Sequence, residues 1–243
     1  MLGWTLLSPH WGAVDAVIHP RVLGTPQAER IRAWSVERLA AQLREEGGGP
    51  ITMMWIDERD AEWLGWLEAN GFERRAEAML QTSRPLADPI PAPTLPPGCV
   101  VRRVAGEAES APRAAASHAA FGSHKTFAVY HERYLSFMHS PVYGEALDIA
   151  AFMPDGEVGA FCIAWPDEGS QTGLFEPVGT HPQHRRRGLA KAVLLVGLRM
   201  LAQAGMAAAV VCVDEANTAA SDLYRSLGFQ PERRLLSVSR EVS

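Results

Sequence analysis

Apolar positions in this chain recur in two rhythms, and the switches between them lay out an order of elements. Residues 147–153, 158–165 and 173–180 are short apolar-rich runs. Pro154-Asp-Gly156 and Asp167-Glu-Gly-Ser170 separate them, which predicts three strands joined by hairpin turns. Residues 99–104 predict an earlier strand, and 106–121 and 128–139 predict helical segments. A helix over about 188–204 follows, with Leu194, Leu198 and Leu201 on one face and Gly205 as its stop. The wholly apolar run 208–213 reads as a central strand, 217–227 as a last helix ending at Gly228, and 234–240 as a closing strand. The fold class expected is α+β: one mixed, mainly antiparallel sheet flanked by helices.

The chain divides at a proline-rich stretch. Residues 85–98 hold six prolines, each lacking an amide donor and restricting its predecessor to extended conformations. A semi-rigid connector over 85–97 is therefore expected between parts spanning 1–84 and 98–243. The two parts repeat one another. Ile18-His-Pro20 resembles Thr180-His-Pro182, and each precedes a glycine-containing turn and a long amphipathic helix. Ile56-Asp-Glu58 aligns on Val213-Asp-Glu215, which places Gly71-Phe72 on Gly228-Phe229. Self-similarity in this order predicts an internal duplication.

Composition narrows the class only a little. A hydrophobic content of 47% with 21% charged residues is that of a globular domain, and a net charge of −5 disfavours a nucleic-acid partner. No apolar run approaches the roughly 18 residues of a membrane span. Cys99, Cys162 and Cys212 each sit in or beside an apolar run, so buried free thiols in a reducing cytoplasm are expected, and no Cys/His spacing points to a metal.

The chemistry concentrates in two stretches. Glu176-Pro-Val-Gly-Thr-His-Pro-Gln-His-Arg-Arg-Arg-Gly-Leu-Ala-Lys191 carries a strand into an Arg/Gly turn that opens a helix. Unpaired N–H groups at a helix start bind phosphate, whereas three arginines there oppose the helix dipole unless an anion joins them. The second stretch is Asn217-Thr-Ala-Ala-Ser-Asp-Leu-Tyr-Arg-Ser-Leu-Gly-Phe229. Together they resemble the acyl-CoA site of the GNAT superfamily of N-acetyltransferases, most specifically over 173–229. Arg185–Ala190 matches that family's Q/R-x-x-G-x-G/A turn. The resemblance implies that acetyl-CoA is the co-substrate. The backbone of Arg185, Arg186, Arg187, Gly188, Leu189, Ala190 and Lys191 would hold the pyrophosphate, and Val178, Gly179 and Thr180 the pantetheine arm.

It also implies a catalytic pair. Tyr224 matches the tyrosine that protonates or hydrogen-bonds the departing sulfur, and its alternative is core packing. Asn217 matches a residue that binds pantetheine, and its alternative is an N-cap. Glu176 is the candidate base; an acid in an apolar strand is either functional or simply exposed at the strand end. Asp148 and the histidines of the 118–139 segment are lesser candidates. That segment lies where relatives build the acceptor pocket, though its aromatic residues also read as a helix packing stripe.

The first part lacks these features. Asp60 aligns with Asn217 and Leu67 with Tyr224, while the turn becomes Arg21-Val-Leu-Gly24-Thr-Pro26, whose proline deletes a donor. A degenerate repeat without its early strands is expected, either a packing remnant or one truncated by the choice of start site. Its Trp55, Trp63 and Trp66 read as core or contact residues. The expected function is transfer of an acetyl group to a primary amine of a small molecule or a protein N-terminus, by direct attack in a ternary complex. Mycothiol synthases show a similar tandem arrangement, which makes a small aminosugar conjugate one implied acceptor. The alternative is a non-catalytic acyl-CoA-binding or regulatory protein, and a homodimer is left open.

Overall fold

The computed structural model describes residues 1–144 and 147–243. Its first elements are β1 (Gly3–Ser8), β2 (Ala13–Ile18), α1 (Pro26–Glu45), β3 (Gly49–Asp57), α2 (Ala61–Ala69) and β4 (Glu73–Pro85). Then come β5 (Val100–Arg103), α3 (Ser110–Ala120), α4 (Phe127–Met138), β6 (Leu147–Phe152), β7 (Val158–Asp167) and β8 (Thr172–Thr180). The order is completed by α5 (Leu189–Gln203), β9 (Ala208–Asp214), α6 (Thr218–Arg225) and β10 (Gln230–Val242). Every element expected over 98–243 is present. The largest offsets are at α3, which starts at Ser110 rather than 106, and at β10, which starts at Gln230 rather than Arg234.

These elements form two compact units built from interleaved segments. The first comprises Met1–Gln81, Val213–Thr218 and Pro231–Ser243, and the second Thr82–Cys212 and Ala219–Gln230.

In the first unit the strand order is β1-β2-β3-β10-β4. β1 and β2 form an antiparallel hairpin, β2 meets β3 in parallel at Ala13↔Thr52, and β10 lies antiparallel to β3. Thr25 precedes Pro26 at the start of α1, where a missing N–H costs nothing. Val36, Leu39, Ala40 and Leu43 recur at helical spacing and bury against Ile51, Met53, Leu67 and Phe72. Trp63 and Trp66 stack with centroids 5.1 Å apart and pack on this core. Trp55 does not join them: it is 42% exposed, since its backbone takes φ 66° and breaks the strand's in–out alternation.

In the second unit the order is β9-β8-β7-β6-β5, antiparallel except for the β8–β9 pair. Leu194, Leu198 and Leu201 of α5 are fully buried, each removal from water contributing about 1.5–3 kcal/mol. Cys99 and Cys162 are buried free thiols as expected, and Cys212 is half-buried. Residues 86–99 contain no helix or strand, yet the segment is fastened. Leu86 donates its N–H to the Ala207 carbonyl (2.9 Å), and Arg199 Nη2 donates to the Ile90 carbonyl (3.3 Å). Among the described residues, no helix is long and apolar enough to cross a membrane.

Candidate active site

The site begins with a fault in the sheet. β7 and β8 pair at Cys162↔Val178 and again at Ala164↔Phe175, so Glu176 and Pro177 together face the single residue Ile163. This is a β-bulge, placed where a proline could not have donated to the ladder. On its other side β8 pairs with β9 from Thr172↔Ala208 to Leu174↔Val210 and no further. The strands part there, and Glu176 marks the start of a wedge along which Val178, Gly179 and Thr180 continue. Glu176 is exposed, and its backbone carbonyl accepts a hydrogen bond from Trp165 Nε1 at 2.6 Å.

β8 leads into the arginine turn. His181 Nδ1 accepts from the Gln183 N–H (3.3 Å), closing a short turn over Pro182–His184. His184 is buried and engaged at both ring nitrogens: Arg187 Nη1 donates to Nδ1 at 3.0 Å, which leaves Nε2–H to donate to Glu157 at 3.0 Å. Arg187 is thus tied back to the turn through its guanidinium, though it is exposed like Arg185, Arg186 and Gly188. Gly188 adopts φ 78°, ψ 1° just before α5, and a Cβ there would meet nothing within 4 Å. A side chain is excluded by the left-handed backbone rather than by crowding. The first N–H groups of a 15-residue helix thereby face an uncluttered surface with cationic neighbours and no acid in the first turn. The turn fits a diphosphate.

Tyr224 lies on α6, 6% exposed, its ring edge-on to Phe229 with centroids 5.9 Å apart. Burial pushes its hydroxyl up to about 12, with the Cys162 and Cys212 thiols adding to the rise. Cys212 is itself pushed up to about 11, by burial first and then by the Glu176 carboxylate. Glu176, Val178–Thr180, Arg185–Lys191 and Tyr224 all belong to the second unit. Asn217 falls in the first unit, immediately before α6, with its N–H donating to the Asp214 carbonyl at 2.8 Å.

Next to Pro177 opens a cavity of about 330 Å³, walled by Tyr130, Tyr134, Phe137, Ile163 and Trp165. Arg113 also lines it and belongs to a buried ion pair that the sequence did not suggest. Arg113 Nε donates to Asp148 Oδ1 at 2.8 Å, both side chains being 1–2% exposed, and Tyr134 Oη donates to Asp148 Oδ2 at 2.6 Å. Asp148 is thus committed to Arg113 and Tyr134 and unsuited to serve as a base. Three of the four histidines of this segment are also engaged, His118 with the Lys125 carbonyl, His131 with Ser110 and His139 with Glu107, while His124 is exposed. Among the described residues, no group of three or more His, Cys, Asp or Glu side chains is placed to hold a metal ion.

The model of the acetyltransferase (GNAT) family matches residues 122–229. A mycothiol acetyltransferase of Thermobispora bispora is 30% identical over 223 residues, spanning 88% of this chain and 71% of the relative. The chain belongs to the GNAT family of acetyltransferases. A second relative of the same name, from Salinispora tropica, is 32% identical across 89% of this chain and 69% of its own length. Among solved structures, a GCN5-related N-acetyltransferase from Sphaerobacter thermophilus aligns with a TM-score of 0.77 at 23% identity, covering 99% of this chain and 77% of that one. A tandem GNAT protein from the clavulanic acid biosynthesis pathway gives 0.74 at 17% identity over 95% of this chain and 75% of its own. At these identities the structures show the fold: an open mixed sheet flanked by helices. The GNAT family uses acetyl-CoA as co-substrate.

Proposed function

We propose that this acetyltransferase transfers the acetyl group of acetyl-CoA to the primary amine of a small molecule, by direct attack in a ternary complex. What carries the reading is the convergence, within one unit, of the wedge at Glu176, the left-handed Gly188 turn and the buried Tyr224 hydroxyl. When bound, acetyl-CoA supplies an acetyl thioester. The N–H groups at the start of α5 hold its diphosphate, and the open edge of Val178–Thr180 takes the pantetheine amides. Glu176, exposed at the mouth of the wedge, accepts the ammonium proton directly or through a water. Asn217 supports α6 from its N-terminal end.

Tyr224 acts on the sulfur. With its hydroxyl pushed up to about 12 against ~8.5 for an ordinary thiol, full proton transfer to the thiolate would be uphill by roughly three units. Its part is therefore a hydrogen bond to the sulfur that strengthens as negative charge develops there. The cavity beside Pro177 takes the acceptor, its aromatic walls suiting a ring-bearing body. The relatives' name, mycothiol acetyltransferase, favours a small aminosugar conjugate among possible amines.

The first part of the chain, in this reading, is a degenerate copy. His19 Nδ1 accepts from the Arg21 N–H as His181 does from Gln183, and Asp60 caps α2 through the Trp63 N–H. The turn itself is filled from within: Glu62 Oε1 accepts from the Gly24 N–H at 3.3 Å and from Arg32 Nη1 at 2.8 Å. A carboxylate already sits where an anion would bind.

Thiol release from acetyl-CoA, followed across a panel of aminosugar conjugates, aminoglycosides, polyamines and amino acids, tests the proposal. Acetylated product from at least one small amine is expected. Acetylation confined to protein N-termini would overturn the small-molecule assignment.

A further inference from the structure

A second cavity, of about 520 Å³, opens in the first unit, where β2 and β3 part after their pairing at Ala13↔Thr52. Val14 of β2 and Met53 of β3 turn into the core that they share with Val36 and Leu39 of α1. Strand alternation sends Asp15, Val17 and Met54 to the opposite face, where Trp4 stands across from Val17 in the β1–β2 ladder. Trp55 joins them on the outside because its φ of 66° breaks the alternation. Trp4, Val17, Met54 and Trp55 all line the cavity and are 42–50% exposed. Large apolar side chains gathered around one opening, rather than scattered singly, mark a binding surface.

The charge on this wall decides what it binds. Arg32, 5% exposed, is already neutralised: its Nη1 donates to Glu62 at 2.8 Å, and its guanidinium lies 4.4 Å over the Trp63 ring. Asp57 pairs with Arg59, and Asp60 is spent capping α2. Asp15 is half-buried, and among the described residues no cation pairs with it, so burial pushes its carboxyl up unopposed. We propose that the cavity binds an organic cation, an ammonium group on an aliphatic body, with Asp15 pairing the charge and Trp4 and Trp55 as its walls. Tryptophan faces attract cations, most strongly where water is displaced, and Val17 and Met54 offer apolar surface to the body. A phosphate is disfavoured here, because Glu62 already occupies the Gly24 N–H and Asp15 would repel it. The lining belongs wholly to the first unit, whereas Glu176 and Tyr224 belong to the second. The first unit thereby gains a ligand of its own rather than a purely packing role.

Calorimetric titration of the whole chain with n-hexylammonium, hexanol and hexanoate tests the proposal, in the wild type and in Asp15→Asn and Trp4→Ala. The three probes share one body and differ in charge. Hexylammonium should bind the wild type about tenfold or more tightly than hexanol, and hexanoate more weakly still. Asp15→Asn should abolish the preference for the cation, and Trp4→Ala should weaken hexylammonium severalfold. Equal wild-type affinity for hexylammonium and hexanol overturns the proposal without any variant. So does a hexylammonium affinity that Asp15→Asn leaves unchanged. A wild-type dimer that Trp4→Ala dissociates would mean that a second copy covers this face, and would overturn it as well.

Discussion

Phe229 donates its backbone N–H to the carbonyl of Tyr224 at 3.1 Å while their rings meet edge to face. With Gly228 donating to Arg225 at 3.0 Å and adopting φ 89°, this is a Schellman cap that holds the tyrosine ring against a buried partner. The first unit contains the same cap, Phe72 N–H to Leu67 at 3.0 Å and Gly71 N–H to Glu68 at 3.1 Å. The repeated Gly-Phe pair is therefore a helix stop. What differs between the two copies is the residue at the head of the cap, tyrosine in one and leucine in the other.

Gly228→Ala should destabilise the protein by about 1–2 kcal/mol, the cost of a left-handed non-glycine residue. The close approach to Arg84 adds to it. Urea unfolding measures the shift, and an unchanged midpoint would mean the cap relaxes freely.

Glu176→Gln removes a proton acceptor from an exposed position without disturbing the core. We expect kcat/KM to fall by about 10²-fold at neutral pH, within the usual range for general bases, with stability unchanged. A rate within twofold of wild type would mark Glu176 as an ordinary exposed strand residue.

Tyr224 also affects stability at high pH. Its folded-state pKa stands near 12 against 10 in the unfolded chain, so the unfolded chain loses the proton first as pH rises. The stability this group contributes is complete below pH 10 and declines between 10 and 12, by up to about 3 kcal/mol. Tyr224→Phe should lessen the alkaline loss, read from urea midpoints at pH 8.5 and pH 11. Tyr134, whose hydroxyl burial also raises, keeps some of the loss in place.

Asp148→Asn should cost about 3–5 kcal/mol, because it strips the buried Arg113 guanidinium of its charge partner. Thermal unfolding reports it. Replacing both residues with apolar ones should recover much of the loss, and a single-variant cost near zero would contradict the ion pair.

What was legible in the sequence was local. The strand–turn–helix around Gly188 and the spacing from Tyr224 to Phe229 are set by neighbours within one or two turns, and the structure places those elements as expected. The bulge was half-visible, because Pro177 inside an apolar run cannot serve an unbroken ladder. The Arg113–Asp148 pair was not visible, since it joins a helix to a strand 35 positions away and neither residue has a spacing signature. Nor was the pairing of β10 with β3, which depends on strands far apart in the chain.

The most direct test of the account is to compare Tyr224→Phe with the wild type in two measurements on one preparation: calorimetric binding of acetyl-CoA and thiol release in the presence of an accepted amine. The account predicts a Kd within about threefold of wild type and turnover lowered by about 10²-fold or more, the cost of removing one donor from a developing anion. Turnover equal to wild type with binding intact would contradict it, leaving Tyr224 as core packing and the chemistry to be assigned elsewhere.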